Sequence, residues 1–470
     1  MSSSGSPPFE SHLGPLSDAV RERLRQFTAS NFAARLWKRD ATLWKGDDAR
    51  QKVVANRLGW LGSVGAMQSS AGSLQDFARE ALAEGLDTAV LLGMGGSSLC
   101  PEVFATIFGG RDRRMNLIVL DTTDPGAILT AEESIRLDRS LFIVSSKSGS
   151  TIETLSLHAH FMERLRSAGV PDPGRHFVAI TDPGSQLQEI ATAEGFRRCF
   201  LNPADIGGRY SALSFFGLVP AALLGMDIPR LLDRASKMSA ACGPGSLPEE
   251  NPGVRLGAIL GEAALQGRDK LTFLLSPEIE PFGFWVEQLI AESTGKEGHG
   301  ILPVEGEPAG KPPVWGQDRL VVYLRLAGSG RSPADAAAAA FREAAHPLVR
   351  LDLEDRYDLG GEFLRWEIAT AAAGAVLGLN PFDEPNVKES KDNTARILRT
   401  VEEGGALPEL QPVETDGPLE IYADPSLAGA LQAERERRDW PRNTAGLLAA
   451  LTADSPPGDY VAMMAWLERR

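Results

Sequence analysis

Short apolar runs alternate along most of the chain with stretches whose apolar residues recur at helical spacing. From about residue 75 the runs are TAVLLG, NLIVLD, LFIVSS and HFVAITD, and after residues 241–253, ACGPGSLPEENPG, they are LTFLLSP, RLVVYLRL and HPLVRLDL. Continuous apolar strands separated by helices are typical of parallel sheets that are covered on both faces. The pattern therefore predicts an α/β fold with two parallel-sheet domains on either side of the Pro/Gly-rich break.

The two ends of the chain interrupt this alternation. Residues from Leu16 to about Val64 predict helices without strands, and the first ten residues, MSSSGSPPFE, are typical of a flexible leader. After about residue 404 a stretch rich in Gly, Pro and acidic residues precedes a further helix. We therefore predict a helical N-terminal segment (1–70), a first sheet domain (71–240), a second sheet domain (241–403) and a C-terminal tail (404–470) that packs on the body.

Composition and charge narrow the classes of partner. The chain has 470 residues and a formal net charge of −15, which argues against a protein that binds nucleic acid or an anionic membrane through its overall field. An anionic ligand would need a local site. The three cysteines are too widely separated for a disulfide framework or a metal cluster, so we expect a reducing cytoplasm. No apolar run approaches the ~18–20 residues that span a bilayer.

The first motif with possible chemistry is GMGGSS (93–98), a glycine-rich turn between a predicted strand and a predicted helix. Its glycines allow the backbone to approach a ligand at the helix N-terminus. A purely steric requirement for glycine explains the turn equally well at this point. The motif is not the dinucleotide fingerprint, because the third glycine of that pattern is missing.

The second motif is SSKSGST (145–151), which again lies between a strand and a helix. A phosphate group is held by short hydroxyl donors, backbone N–H groups and a cation at a helix N-terminus, and this segment contains all of them. The alternative is a capping box in which Ser150 and Glu153 satisfy the helix without any ligand. That alternative leaves unexplained the side chains of Ser146, Lys147, Ser148 and Thr151. We therefore interpret the segment as a phosphate site.

Three further segments each have an ordinary structural explanation when taken alone. Arg209 lies in a glycine-flanked turn, IGGRYSALS (206–214), where it could be a surface residue or a helix cap. Gln288 and Glu292 share one face of a predicted helix, and Glu292 near its C-terminus could be a solvated carboxylate or a general base. Lys391 follows the loop NPFDEP and could belong to a solvated helix face. The six histidines are scattered, so we predict no metal.

Together, the five segments resemble phosphoglucose isomerases in their order along the chain. The motifs that carry the resemblance are GMGGS, SKSGSTIET, GGRYSALS, QLIAESTGK and NPFDEPNVKESK. A closer resemblance, which includes FAARLWKRDATLW, ANRLGWL, GRDKLTF and GDYVAMMAWL, is to the isomerase half of bacterial transaldolase/phosphoglucose isomerase fusion proteins. Because the isomerase-like pattern starts almost at Met1, we expect the transaldolase part to be missing from this chain.

The resemblance implies two sugar-isomerase (SIS) domains, each with a parallel five-stranded sheet, and interconversion of glucose 6-phosphate and fructose 6-phosphate through an enediolate. Glu292 is implied as the base that moves the proton, Arg209 as the group that stabilises the enediolate, and Lys391 as an aid to ring opening. Gln288 would position the substrate. The implied sugar-phosphate contacts are Gly96, Ser97, Ser146, Lys147, Ser148 and Thr151. The reaction needs neither a redox cofactor nor a metal, so we expect no cofactor.

One departure from the family pattern concerns the histidine that opens the sugar ring. Residues 312–323, PPVWGQDRLVVY, contain none, and His299 and His346 are the nearest candidates. In the family this histidine comes from the neighbouring subunit, so a homodimer is possible but less strongly implied. Two alternatives remain open from the sequence: a non-catalytic sugar-phosphate-binding SIS protein, and an isomerase for another phosphosugar such as mannose 6-phosphate.

Overall fold

A computed structural model describes residues 9–44, 46–109, 115–307, 315–330, 332–406, 411–453, 455–456 and 461–464. The described residues form two compact units, the first ending at Asp383 and the second beginning at Glu384. The domain boundaries predicted at residues 70, 240 and 403 stay predictions. Residues 1–8 of the predicted leader lie outside the described residues.

Strands and helices alternate through the first unit. Its strands are β1 (Phe9–His12), β2 (Thr88–Gly93), β3 (Asn116–Leu120), β4 (Ser140–Ser145), β5 (Phe177–Thr181), β6 (Arg198–Leu201), β7 (Lys270–Leu275), β8 (Leu302–Val304), β9 (Arg319–Leu326) and β10 (Leu348–Leu353). Its α-helices are α1 (Ser17–Ala29), α2 (Phe32–Trp37), α3 (Asp48–Ala55), α4 (Ser63–Ala83), α5 (Leu99–Phe108), α6 (Pro125–Ser134), α7 (Ile152–Ser167), α8 (Gln186–Ala193), α9 (Phe215–Leu223), α10 (Ile228–Ala241), α11 (Pro252–Leu265), α12 (Phe282–Thr294), α13 (Pro333–Glu343) and α14 (Leu359–Leu377).

The second unit has fewer elements. They are α15 (Pro385–Glu402), β11 (Glu414–Asp416), β12 (Leu419–Ile421), α16 (Pro425–Arg437) and α17 (Thr444–Thr452). The two strands pair antiparallel. Asp424 and Asn443 cap α16 and α17 by accepting hydrogen bonds from backbone N–H groups of the first turns.

The first sheet has the order β3-β2-β4-β5-β6, and all of its strands run parallel. Alternate residues of β4 enter different cores: Leu141 and Ile143 pack in one cluster, and Phe142 and Val144 in another. Helices cover both faces of such a strand, which explains why its sequence is apolar without alternation. The predicted α/β class with parallel sheets is confirmed.

The second sheet has the order β1-β10-β9-β7-β8, with every pair parallel except β1 and β10. Phe9–His12 forms the antiparallel edge strand β1; it lies ahead of the stretch Leu16–Val64 predicted to be helical and overlaps the end of the predicted leader. The Arg255 guanidinium lies 4.2 Å from the centre of the Phe9 ring and donates a 2.8 Å hydrogen bond to the Ser11 hydroxyl. These contacts with distant parts of the chain, rather than local periodicity, place this four-residue strand.

The register of the first sheet brings three polar loops to one edge. Gly93 of β2 pairs with Ser145 of β4, and Leu92 pairs with Leu120 of β3. GMGGSS (93–98), the segment DTTDPG (121–126) after β3, and SSKSGST (145–151) therefore lie where neighbouring strands end at the same level. In open parallel sheets, ligands bind at this carboxyl edge.

The structure also shows the state of the cysteines and of possible membrane-spanning and metal-binding groups. The cysteine thiols form no disulfide: Cys100 and Cys242 are buried and Cys199 is partly buried. Burial raises the pKa of Cys242 to about 12, which keeps its thiol protonated at neutral pH. Within the described ranges, no helix combines the length and apolarity needed to cross a bilayer, and no group of three or more His, Cys, Asp or Glu side chains has the arrangement of a metal site.

Candidate active site

The 146–151 loop leads from β4 into α7. The Ser146 and Thr151 hydroxyls lie 3.0 Å apart, and the N–H of Gly149 donates to the Ser146 hydroxyl at 3.1 Å. Gly149 has φ +67°, a left-handed conformation that glycine adopts without strain. The loop thus folds back on itself and gathers its hydroxyls near the start of the helix.

The capping-box alternative for this loop was wrong. Helix α7 begins at Ile152 with Thr151 as its N-cap, and no side chain caps the backbone there. The Ser150 hydroxyl instead donates to the Ser148 hydroxyl at 3.1 Å. The first N–H groups of an α-helix have no partner within the helix, and here no N-cap side chain accepts from them. The N-terminus of α7 therefore retains the N–H groups and the dipole that favour an anion.

The glycine-rich loop after β2 lies beside this site. The Ser145 hydroxyl donates to the carbonyl of Ser97 at 3.2 Å, which links the two loops. Gly96 packs against the backbone of the loop that carries Arg209 (206–214), so a Cβ at this position would lie 2.5 Å from the Gly208 carbonyl oxygen. The structure thus supplies a steric reason for Gly96, and whether Gly96 also contacts substrate stays a prediction.

Adding one methyl group at Gly96 is expected to separate the glycine-rich loop (93–98) from the loop that carries Arg209 (206–214). Gly96→Ala should lower the free energy of unfolding by about 1–3 kcal/mol, because overpacking against backbone cannot be relieved by a rotamer change. Urea unfolding measures the change. The matched control is Gly208→Ala, whose added methyl would meet nothing within 4 Å. Equal stability of the two variants would contradict the close packing of these loops.

The side chain of Lys147 points toward the ends of β5 and β6. Its Nζ forms an ion pair with the Asp182 carboxylate and donates a 2.9 Å hydrogen bond to the carbonyl of Ala204. Burial raises the pKa of Asp182, although Lys147 acts in the opposite direction. The expected contact between Lys147 and a phosphate stays a prediction, and in this structure the ammonium group is held by protein oxygens.

Arg209 joins three segments that are distant in sequence. Its side chain is only 6% exposed. Nη1 donates to the Glu292 carboxylate at 3.1 Å and Nε donates to the Ser293 hydroxyl at 3.1 Å. Nη2 donates to the backbone carbonyls of Pro381 at 3.1 Å and Asp383 at 3.0 Å. A buried guanidinium is thereby fixed beside a carboxylate whose other side remains accessible.

Glu292 and Gln288 lie one turn apart on α12, and Glu292 is in the last turn of that helix. The Glu292 side chain is 34% exposed. Both residues line a cleft of about 390 Å³, which Leu99 of α5 also lines. The amide nitrogen of Gln288 would lie 2.9 Å from a Cβ at Gly95, so α12 closely approaches the glycine-rich loop. The structure thus brings the predicted carboxylate, arginine, glutamine and glycine-rich loop together.

Sequence reasoning gave no role to several residues that hold this site. Lys296 donates to the Asp383 carboxylate at 2.6 Å and to the carbonyls of Asn380 and Asp383. The sequence did contain a sign of this contact, because Lys296 ends the motif QLIAESTGK and Asp383 belongs to the motif NPFDEP. Aromatic packing supports the same loop: Tyr210 lies against both Trp60 and Phe382, with ring centres 5.3 Å apart in each pair.

Three further residues were predicted or suggested for the site. Lys391 lies on α15 of the second unit and is exposed, so its predicted role in ring opening stays a prediction. His299 is exposed in the turn after α12. His346 is buried against Phe341 and Trp315, and burial lowers its pKa. This environment favours a structural role for His346.

The combination of fold and site defines a class of protein. A parallel sheet ends in a serine-rich loop and a glycine-rich loop, and the cleft near the glycine-rich loop is lined by a carboxylate that pairs with a buried arginine. A proton-transfer enzyme acting on a carbonyl needs a base and a group that stabilises negative charge on oxygen. These features are those of an aldose–ketose isomerase for phosphorylated sugars.

Comparison with known proteins identifies the family. The family model for phosphoglucose isomerase matches residues 71–300. The chain is 27% identical to a glucose-6-phosphate isomerase of Campylobacter jejuni over 351 residues, which cover 66% of this chain and 85% of the relative. It is 30% identical to a probable glucose-6-phosphate isomerase of Haloquadratum walsbyi over 347 residues, covering 66% and 79%. The chain belongs to the phosphoglucose isomerase family.

The fold is also similar to that of a solved structure. The crystal structure of a glucose-6-phosphate isomerase from Chlamydia trachomatis matches with a TM-score of 0.62 and 20% sequence identity, covering 83% of this chain and 86% of that chain. At this level of identity the match supports the fold alone.

Proposed function

We propose that this protein interconverts glucose 6-phosphate and fructose 6-phosphate by moving a proton between C1 and C2 of the open-chain sugar. The observation that carries the proposal is the 3.1 Å contact between Arg209 and Glu292 at the cleft beside the glycine-rich loop. Family membership supports the same reaction.

The proposed mechanism gives each predicted side chain one task. The 146–151 loop and the N-terminus of α7 hold the phosphate, remote from the reacting carbons, and this fixes the sugar over the cleft. Glu292 removes a proton from one carbon and returns it to its neighbour. Arg209, already fixed by carbonyl and hydroxyl acceptors, stabilises the negative charge that develops on oxygen. Gln288 orients the sugar, and Lys391 assists ring opening.

A non-catalytic sugar-phosphate sensor would need the phosphate loop but no base. A sensor gains little from a buried arginine beside the Glu292 carboxylate, because a neutral polar residue would bind hydroxyl groups at lower desolvation cost. The Arg209–Glu292 pair therefore favours catalysis. An isomerase that also accepts mannose 6-phosphate remains a second candidate, because the same base and arginine would serve either C2 epimer.

The decisive experiment is a coupled assay of the intact protein with fructose 6-phosphate, in which glucose 6-phosphate formation is followed through a dehydrogenase. We expect turnover with fructose 6-phosphate and none at equal concentration with fructose, since the phosphate supplies the binding energy that positions C1 and C2. Parallel assays for mannose 6-phosphate formation test epimer selectivity. Binding of fructose 6-phosphate without turnover would overturn the proposal in favour of a sensor.

We further propose that the protein is a cytoplasmic homodimer. We also propose that it is more similar to the isomerase halves of bacterial transaldolase/phosphoglucose isomerase fusions than to single-function isomerases. Three unpaired cysteines support a reducing compartment. The motifs FAARLWKRDATLW and ANRLGWL support the likeness to the fusions. Light scattering on the purified protein tests the dimer, and higher identity to the fusion halves than to single-function isomerases over residues 32–61 tests the likeness.

A further inference from the structure

The side chain of Lys147 links three neighbouring strand ends. Lys147 follows β4, its partner Asp182 directly follows β5, and Ala204, whose carbonyl accepts from Nζ, lies shortly after β6. The backbone repeats the link, because the N–H of Asp182 donates to the carbonyl of Lys147 at 3.2 Å. The hydroxyl of Thr181 donates to the same carbonyl at 3.4 Å. The lysine is thus tied at both its backbone and its ammonium group.

The rest of the loop is packed against the same neighbour. The N–H of Ser146 donates to the carbonyl of Ile180 at 3.0 Å. A Cβ at Gly149 would lie 2.8 Å from the backbone nitrogen of Leu187 and 2.8 Å from the Ser185 Cβ. The loop therefore rests on the β5–α8 connection, and its conformation depends on that connection staying in place.

The ion pair is partly shielded from solvent. The Lys147 and Asp182 side chains are 23% and 16% exposed, so the pair is less weakened by water than a surface pair. Arg57 and Asp205 are the other charged groups near Asp182, and they act on its carboxylate with opposite signs. Asp182 is therefore paired with a cation, Lys147, that belongs to the 146–151 loop.

We propose that Asp182 is a positioning residue of the sugar-phosphate site, acting through Lys147, whose ammonium group anchors the loop instead of contacting the phosphate. The inference rests on the proposed function for the identity of the ligand. It assigns phosphate recognition to the loop hydroxyls and to the N–H groups at the start of α7. The ammonium group keeps these donors in place.

The direction in which one substitution changes KM distinguishes a lysine that anchors the loop from a lysine that contacts the phosphate. If Lys147 anchors the loop, Asp182→Asn releases the loop and raises KM for fructose 6-phosphate on the order of tenfold, with kcat little changed. If Lys147 were available to the phosphate, the same substitution would remove a competing negative charge and lower KM. A fall in KM overturns the proposal.

A double-mutant cycle tests whether the two residues act as one unit. Lys147→Met alone, Asp182→Asn alone and both together should raise KM by similar factors, because each removes the same link. Additive increases would overturn the proposal. Asp182→Glu keeps the charge and should hold KM within about threefold of the unmodified protein; an increase as large as that of Asp182→Asn would also overturn it.

A second readout does not depend on isomerase activity. Calorimetric titration with inorganic phosphate should show weaker binding to Asp182→Asn by a similar factor. If the protein proves to have no isomerase activity, this titration still decides the role of Asp182: unchanged phosphate affinity contradicts it. The matched control is Asp318→Asn. Asp318 pairs with Lys270 at the start of β7, which is the end of that strand opposite to its carboxyl end. Its KM and phosphate affinity should be unchanged.

Discussion

Replacing Glu292 by glutamine is expected to lower kcat by about 10²–10⁴-fold, the range that a positioned general base contributes. Glutamine has nearly the same shape, and its amide oxygen can still accept the 3.1 Å hydrogen bond from Nη1 of Arg209. The amide cannot take up a proton at neutral pH, so proton transfer stops while the protein and its sugar-phosphate site remain intact. KM for fructose 6-phosphate should therefore change little.

The assay should measure kcat and, separately, exchange of the C2 proton of glucose 6-phosphate with solvent deuterium. Both should fall together in Glu292→Gln, because one base serves both processes. Glu297→Gln is the control: Glu297 follows the same helix, is exposed, and lies 3.6 Å from Arg50. A Glu292→Gln variant that keeps more than about a tenth of kcat would assign the base to another residue, since that loss is below the range for a general base.

Replacing Arg209 by lysine should have the second-largest effect. The guanidinium donates to four oxygen atoms on two segments, and a single ammonium group cannot reach them together. We expect kcat to fall by about 10²–10³-fold, as for loss of a donor that stabilises a developing oxyanion. We also expect the free energy of unfolding to fall by about 3–5 kcal/mol, because buried acceptors lose their partner.

The control must separate lost catalysis from lost stability. Arg23 donates to Glu262 at 2.7 Å in a partly buried pair between α1 and α11, distant in sequence from the site. Arg23→Lys should lower the thermal midpoint and leave kcat of the folded protein unchanged. If kcat of Arg209→Lys, measured well below its thermal midpoint, matches that of the Arg23→Lys variant, then Arg209 is a structural residue only.

Much of the fold is predictable from the sequence, because the strands buried on both faces are continuous apolar runs. β2, β4 and β5 in the first sheet and β7 and β9 in the second coincide with predicted strands. β6, β8 and β1 were not predicted. They lie at sheet edges and have three or four residues each, so their pairing with a neighbour, rather than local periodicity, determines them.

The candidate site was likewise predictable from the sequence only in part. Gln288 and Glu292 share a helix face, as their spacing predicts. The capping assignment of Ser150 was wrong because, after the turn at Gly149, the Ser150 hydroxyl donates to the Ser148 hydroxyl and no side chain accepts from the first turn of α7. The aromatic support from Trp60 and the fixation of the 380–383 loop by Lys296 involve residues that are distant in sequence, so neither could be predicted from spacing.

The sequence by itself determined the α/β class, because long apolar runs depend on residue type and short-range spacing. It also predicts an anion site at residues 146–151, and its resemblance to a family predicts the reacting side chains. The tertiary structure alone decided that Arg209 contacts Glu292, and that the ammonium group of Lys147 lies on Asp182 rather than in the loop. The partners in these pairs are separated by 83 and 35 residues. Only the packing of the sheets and helices determines which of many possible partners such a charge meets.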